Sequence, residues 1–144
     1  MSLRNFNFIA SIGIIGSFIA NLFGGWNEAM TTLIIFMGLD LITGWILAGV
    51  FHKSKKTKTG TLSSKASLQG LLKKGMILLA ILVAARLDIV LETTYIRETA
   101  IIAFVANETL SIIENMGLMG VPIPSILTKA IELLKKESDK KEEQ

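Results

Sequence analysis

The chain has 144 residues, of which 51% are apolar and 19% are charged, and its formal net charge is +3. A soluble domain of this length normally carries more charge, and the apolar residues here fall in long blocks, so composition favours one small integral membrane domain. The sequence contains no cysteine, which excludes a disulfide framework and a thiolate site.

The first apolar segment covers about residues 5–27 and contains no charged residue. It is too long for the apolar core of a typical signal peptide, so we expect it to be the first membrane span. Gly16, Ala20 and Gly24 recur at every fourth position within it. Small residues at this spacing let two helix backbones approach closely, and we predict that this row packs against another helix.

The second apolar segment, about residues 29–51, carries a single carboxylate, Asp40, near its centre. A helix of this length spans roughly 34 Å, and a charge at the centre of a bilayer costs about 2.5–3.5 kcal/mol, so Asp40 is expected to face protein or water. Thr43 and Gly44 follow within about one turn and keep this helix face narrow and polar. Asp40 is either a structural residue that ties two helices together or a residue that lines or gates a pore; both interpretations stay open.

A basic stretch follows at residues 52–74, with seven lysines and no acidic residue. Such stretches bind nucleic acids or anionic lipids in some proteins, but short loops between spans also collect lysine when they are cytoplasmic. We favour the second explanation. The sequence therefore predicts a cytoplasmic loop at 52–74 and no nucleic-acid partner.

The third segment, about residues 75–91, is interrupted by Arg86 and Asp88. When residues are counted from the two ends of the basic loop, Asp40 and Arg86 reach a similar depth of roughly 16 Å in an antiparallel hairpin. Pairing would relieve much of the cost of placing either charge in a membrane. We therefore predict that Asp40 and Arg86 interact, within one chain or between neighbouring chains.

The fourth segment, about residues 99–119, has a polar stripe on one helical face and an apolar face opposite. Two interpretations remain: a span whose stripe faces protein or an aqueous lumen, or an amphipathic helix that lies in the membrane interface. The stripe consists of Asn107, Glu108, Ser111, Glu114 and Asn115.

Beyond the fourth segment, glycines and prolines end the helix, and an amphipathic helix is expected at about residues 125–134. Residues 135–144 are charged and lack apolar side chains, which predicts a disordered tail. The expected fold is an all-α integral membrane protein of one domain, residues 1–134, with three to four transmembrane helices. Four spans would return both ends to the cytoplasm.

Several short motifs in this order resemble the toxin-secretion and phage-lysis holins. The resemblance covers nearly the whole chain after the first segment, and it implies a phage or prophage protein that oligomerises in the bacterial cytoplasmic membrane. It further implies lesions through which an endolysin, or in some relatives a large toxin, escapes. The motifs are Asp40-Leu-Ile-Thr43-Gly44, Gly70-Leu-Leu-Lys73-Lys74, Leu87-Asp88, Asn107-Glu108-x-x-Ser111-x-x-Glu114-Asn115 and Gly120-Val-Pro122-Ile-Pro124.

The leading functional hypothesis is thus a pore-forming holin whose partners are further copies of itself and membrane lipids, with endolysin or toxin as released cargo. The alternatives are a small oligomeric ion channel or transporter and a membrane scaffold that forms no pore. We expect no enzymatic activity and no cofactor, because the chain lacks a cysteine nucleophile and a phosphate-binding glycine loop. No metal site is expected either, since the one histidine, His52, has no partner at ligand spacing.

Overall fold

The computed structural model describes residues 2–142, which form five α-helices and contain no strand. The first four helices are long and apolar enough to cross a membrane. This confirms the predicted all-α membrane architecture, with four candidate spans rather than three. The helices are α1 (Leu3–Leu22), α2 (Glu28–Gly49), α3 (Ser64–Val90), α4 (Ile96–Leu118) and α5 (Ser125–Glu142).

The turn between α1 and α2 is set by two glycines and an asparagine. Gly24 and Gly25 adopt φ angles of 78° and 95°, in the left-handed region that favours glycine, so α1 ends at Leu22 rather than near residue 27. The Asn27 side chain then caps α2 by accepting a hydrogen bond from the backbone N–H of Met30 at 3.0 Å.

The third helix begins well before the predicted third segment. It begins at Ser64 rather than near Gly75, because the Ser63 side chain caps it and leucines follow at helical spacing. Lys65, Lys73 and Lys74 therefore lie on α3 rather than in a loop. The connection between α2 and α3 is correspondingly shorter, residues 50–63.

Helix α4 occupies the centre of the molecule. It packs most extensively against α2 and also contacts α3 and α5, whereas α2 and α3 touch each other much less. The apolar core joins α2, α3 and α4, and its most deeply buried side chains include one from each of them, Leu33, Ile81 and Ile101, at 0% exposure. The core cluster comprises Met30, Leu33, Met37, Ile81, Ile101 and Val105.

Helix α1 stands apart from this core. Among the described helices it contacts α3 alone, and none of its residues is buried. A Cβ atom added at Gly16 would meet no other atom within 4 Å, so this member of the predicted small-residue row is not used for packing within the subunit. Its last member, Gly24, lies instead in the turn, where an added Cβ would come within 3.4 Å of Arg97 Cδ.

Helix α5 turns back along α4 after the connection at residues 119–124. Ile131 is buried and Leu134 packs against the core cluster. The predicted disorder of the tail is wrong for residues 135–142, which continue the helix to Glu142. Lysine and glutamate favour helices, and Glu132 lies four residues before Lys136, a spacing that adds further support. The last two residues of the predicted tail, 143–144, lie outside the described part of the chain.

Asp88 fixes the connection between α3 and α4. Its carboxylate accepts hydrogen bonds from Thr93 Oγ1 at 2.7 Å and from the backbone N–H groups of Ile96 and Arg97 at 3.1 and 2.9 Å. These backbone groups belong to the first turn of α4, which Tyr95 leaves without a side-chain cap. Asp88, predicted as an intramembrane polar residue, therefore caps α4 from the end of α3.

Replacing Asp88 by alanine removes this cap and leaves the first turn of α4 with unpaired donors. We expect Asp88→Ala to lower the free energy of unfolding by about 1–2 kcal/mol. Thermal unfolding in detergent, followed by circular dichroism, measures the change. Thr94→Ala is the matched control, because Thr94 is exposed in the same turn. Equal stability of the two variants would contradict the assigned cap.

Candidate functional site

Six polar side chains from three helices meet inside the bundle, and we call them the central polar cluster. Three of them are charged and almost fully enclosed: Asp40 and Glu108 are 4% exposed and Lys74 is 9% exposed. Each of the three spans contributes at least one member, so the cluster connects α2, α3 and α4. The members are Asp40 and Thr43 from α2, Lys74 from α3, and Glu108, Ser111 and Asn115 from α4.

The three charged members lie at one level. Asp40 comes nine residues before the end of α2, Lys74 ten residues after the start of α3, and Glu108 ten residues before the end of α4. At about 1.5 Å per residue, each is roughly 14–15 Å from the same end of the bundle. In a bilayer with a core of about 30 Å, that depth is near the middle of the membrane.

Lys74 joins the two carboxylates. Its ammonium group donates to Asp40 Oδ2 at 2.6 Å and also forms an ion pair with Glu108 Oε2. Two carboxylates and one ammonium leave a net formal charge of −1 in an enclosed site. Such a site is stable only if the remaining oxygen lone pairs are also satisfied, because desolvation of charged groups is costly.

Neutral donors complete the coordination of Asp40. Its Oδ1 accepts a hydrogen bond from Ser111 Oγ and a longer one, 3.4 Å, from Asn115 Nδ2. Asn115 Nδ2 also donates to Thr43 Oγ1 at 3.0 Å, so α2 and α4 are linked at two successive points. Gly44 lies beside this link: a Cβ atom there would make an ordinary contact, 3.8 Å, with Asn115 Nδ2.

The predicted Asp40–Arg86 pair does not form within the chain. Arg86 is exposed on α3 and makes no ion pair with any side chain that the structure describes, while the carboxylate of Asp40 is enclosed with Lys74 and Ser111. The prediction measured depth from Gly75, where the apolar run begins. Because the helix begins at Ser64, the residue of α3 that reaches the level of Asp40 is Lys74.

The polar stripe of α4 divides in two. Glu108, Ser111 and Asn115 point into the subunit and join the cluster, whereas Asn107 and Glu114 are exposed. Of the other residues predicted to carry function, Thr43 and Gly44 are in or beside the cluster. Arg86, Asp88 and the small residues of the first segment lie elsewhere in the fold.

Lys74 is the member that sequence analysis missed, because it was assigned to the basic loop. A usable signal was present: Lys74, Ile77, Ile81 and Ala84 follow each other at three- and four-residue steps, the spacing of one helix face. That face is buried or half-buried along its length. A second signal was the pair of carboxylates, Asp40 and Glu108, in two spans, because carboxylates inside a membrane are usually paired with a cation.

A cavity of about 450 Å³ opens beside the cluster, and we call it the vestibule. Helices α2, α3 and α4 and loop 50–63 all contribute to its lining, and α2 and α3 contact each other only sparsely. Its buried lining includes Asp40, Lys74 and Glu108, and its exposed lining includes Lys56 and Lys73. Charged and polar side chains thus line the vestibule from the end of the bundle that carries loop 50–63 to mid-span depth, with Ala66, Gly70 and Ile77 between them.

Comparison with known proteins gives a consistent result. The sequence profile of the bacteriophage holin family matches residues 17–136. The chain is 29% identical over 120 residues to a probable holin of Bacillus phage phi105, and the match covers 83% of each chain. No solved structure matches.

Bacterial relatives are more similar in sequence. An uncharacterised 14.9 kDa protein of the nagH 3′ region of Clostridium perfringens is 39% identical over 128 residues, covering 88% of this chain and 89% of the relative. An uncharacterised protein of Halalkalibacterium halodurans is 32% identical over 136 residues, covering 90% and 95% of the two chains. These matches extend over nearly the whole length of both partners.

The first test of the cluster removes its cation. Lys74→Met leaves Asp40 and Glu108 enclosed without a counterion, and we expect a loss of about 3–5 kcal/mol in the free energy of unfolding. Lys65→Met is the control, because Lys65 is an exposed lysine of the same helix. Chemical unfolding in detergent micelles gives both values.

A double-mutant cycle then identifies the partner of Asp40. Combining Asp40→Asn with Lys74→Met should be much less destabilising than the sum of the single effects, whereas Asp40→Asn and Arg86→Gln should add. Coupling to Arg86 together with additivity at Lys74 would contradict the observed geometry.

Proposed function

Because the chain belongs to the bacteriophage holin family, we propose that it forms oligomeric pores in the cytoplasmic membrane of a bacterium. As a multi-pass membrane protein with four apolar helices, it accumulates there and assembles with further copies of itself. The pores release endolysin or a toxin, which leads to host lysis or protein export.

The central polar cluster is the observation that carries this proposal. Two carboxylates and an ammonium group at mid-span depth are costly in a membrane, and a simple membrane anchor does not need them. Such groups usually mark a path for ions or polar molecules. In the described conformation the cluster faces the inside of the subunit and holds α2, α3 and α4 together. We interpret this as the resting state. Separation of these helices in an oligomer would expose the same side chains to a water-filled lumen.

Helix α1 supplies a surface for assembly. It is mainly apolar, and a Cβ atom added at Gly16 would meet no other atom of the subunit within 4 Å, while Ala20, one turn further along the same face, is half-buried. Membrane helices associate through such faces because small residues let the backbones approach. A second copy of the chain is the partner that we propose for this face.

Release from liposomes tests both pore formation and the role of α1. We expect wild-type protein to release a small dye and a folded fluorescent protein that are enclosed together. Gly16→Leu should reduce protein release, because the bulky side chain separates the helices. Ser11→Leu, a small-to-large change on the opposite face of α1, should behave like wild type.

The same assay separates the alternatives. Release of dye without protein would support a small channel or transporter, and release of neither would support a scaffold. Equal activity of Gly16→Leu and wild type would exclude the small-residue face from assembly.

The proposed orientation places loop 50–63 in the cytoplasm, together with the start of α1 and the end of α4. The lysines of this loop and of the start of α3 oppose translocation, and the turn at residues 91–95 contains none. Thr59→Cys should therefore resist an impermeant thiol reagent in intact cells before lysis begins, whereas Thr94→Cys should react. The sequence contains no other cysteine, so labelling reports one site. The opposite pattern would invert the topology.

A further inference from the structure

The vestibule has unequal ends. Its floor holds Asp40, Glu108 and Lys74, which are buried and already paired with one another. Lys56 of the connecting loop and Lys73 of α3 also line it, and both are exposed, so they mark the open end. Neither lysine makes an ion pair with any of the described side chains.

The charges along the wall sum to a positive value. Three lysines face two carboxylates in the cavity, so one positive charge remains uncompensated, and it belongs to the mouth rather than to the floor. Gln69 also lines the cavity and adds amide donors one helical turn from Lys73. Ammonium and amide groups converging on an open cavity form the kind of site that takes a phosphate group.

The surroundings of the mouth distinguish a lipid from a free anion. The same two turns of α3 that carry Gln69 and Lys73 also expose Leu68, Leu71 and Leu72, at 58%, 55% and 61%. Exposed apolar side chains beside the mouth can contact the acyl chains of a lipid, whereas inorganic phosphate has no apolar part to contact them. Basic pockets between membrane helices on the cytoplasmic side are a known type of site for lipid head groups.

We propose that the mouth of the vestibule binds the phosphate head group of an anionic phospholipid through Lys56, Lys73 and Gln69. The acyl chains lie along the exposed leucines of α3. The carboxylates of the floor repel the phosphate and hold it at the mouth, so the lipid closes the polar path to the central cluster. The site does not depend on pore formation.

Native mass spectrometry of the full chain, purified in detergent with equal amounts of phosphatidylglycerol and phosphatidylcholine, tests this site. We expect wild-type protein to retain phosphatidylglycerol preferentially. The double variant K56Q/K73Q should bind it at least about tenfold more weakly, since each lysine near the head group contributes on the order of a factor of five.

The matched control is K58Q/K65Q, which removes two exposed lysines from the same loop and the same helix without touching the cavity. It should retain the lipid as wild type does. Equal loss in both double variants, or no loss in either, would overturn the proposal. Displacement of the lipid by millimolar inorganic phosphate would show a general anion site and would overturn the assignment to a lipid. Circular dichroism confirms that the variants stay helical.

Discussion

The packing of the bundle depends on the placement of Lys74 between Asp40 and Glu108. Each of the three charges comes from a different helix, and none can be left alone at mid-span depth without a large desolvation cost. The ion pairs therefore fix the axial position of α2, α3 and α4 relative to one another. Apolar side chains alone define such positions less sharply, because sliding one membrane helix past another exchanges similar contacts. Ser111 and Asn115 sharpen the alignment further through directional hydrogen bonds to Asp40.

The ion pairs also explain why the bundle is not uniformly packed. Helix α4 packs against both α2 and α3 and provides half of the six cluster members, whereas the two helices joined by loop 50–63 contact each other sparsely. The apolar core fills the other half of the bundle, where Leu33, Ile81 and Ile101 meet. The molecule thus has a tightly packed apolar half and a polar half that contains a cavity.

Much of this arrangement could be predicted from the sequence. Long, mainly apolar runs identify the spans by length, and the spacing of Glu108, Ser111 and Asn115 places them on one helix face. The helix starts were not predictable in the same way, because hydropathy reports where a chain enters lipid and not where its hydrogen bonding begins. Helix α3 is capped by Ser63 and begins at Ser64, about three turns before the apolar run that begins near Gly75. At the depth of Asp40 it therefore presents Lys74 and not Arg86. The neighbour of α1 was not predictable either, because within one subunit this helix has little contact with the others and its packing partner is expected in another copy of the chain.

Helix α5 limits which sides of the molecule can border lipid. It runs back along α4, so exposed residues such as Lys135, Lys136 and Lys140 come to lie beside the middle and far half of a spanning helix. Each charge facing hydrocarbon at that depth would cost about 2.5–3.5 kcal/mol. The surface of the bundle therefore has two different sides. The outer faces of α1, α2 and α3 suit contact with acyl chains, whereas the side covered by α5 suits only water or another protein surface. A molecule with one wettable flank cannot be surrounded by lipid on all sides while α5 stays docked.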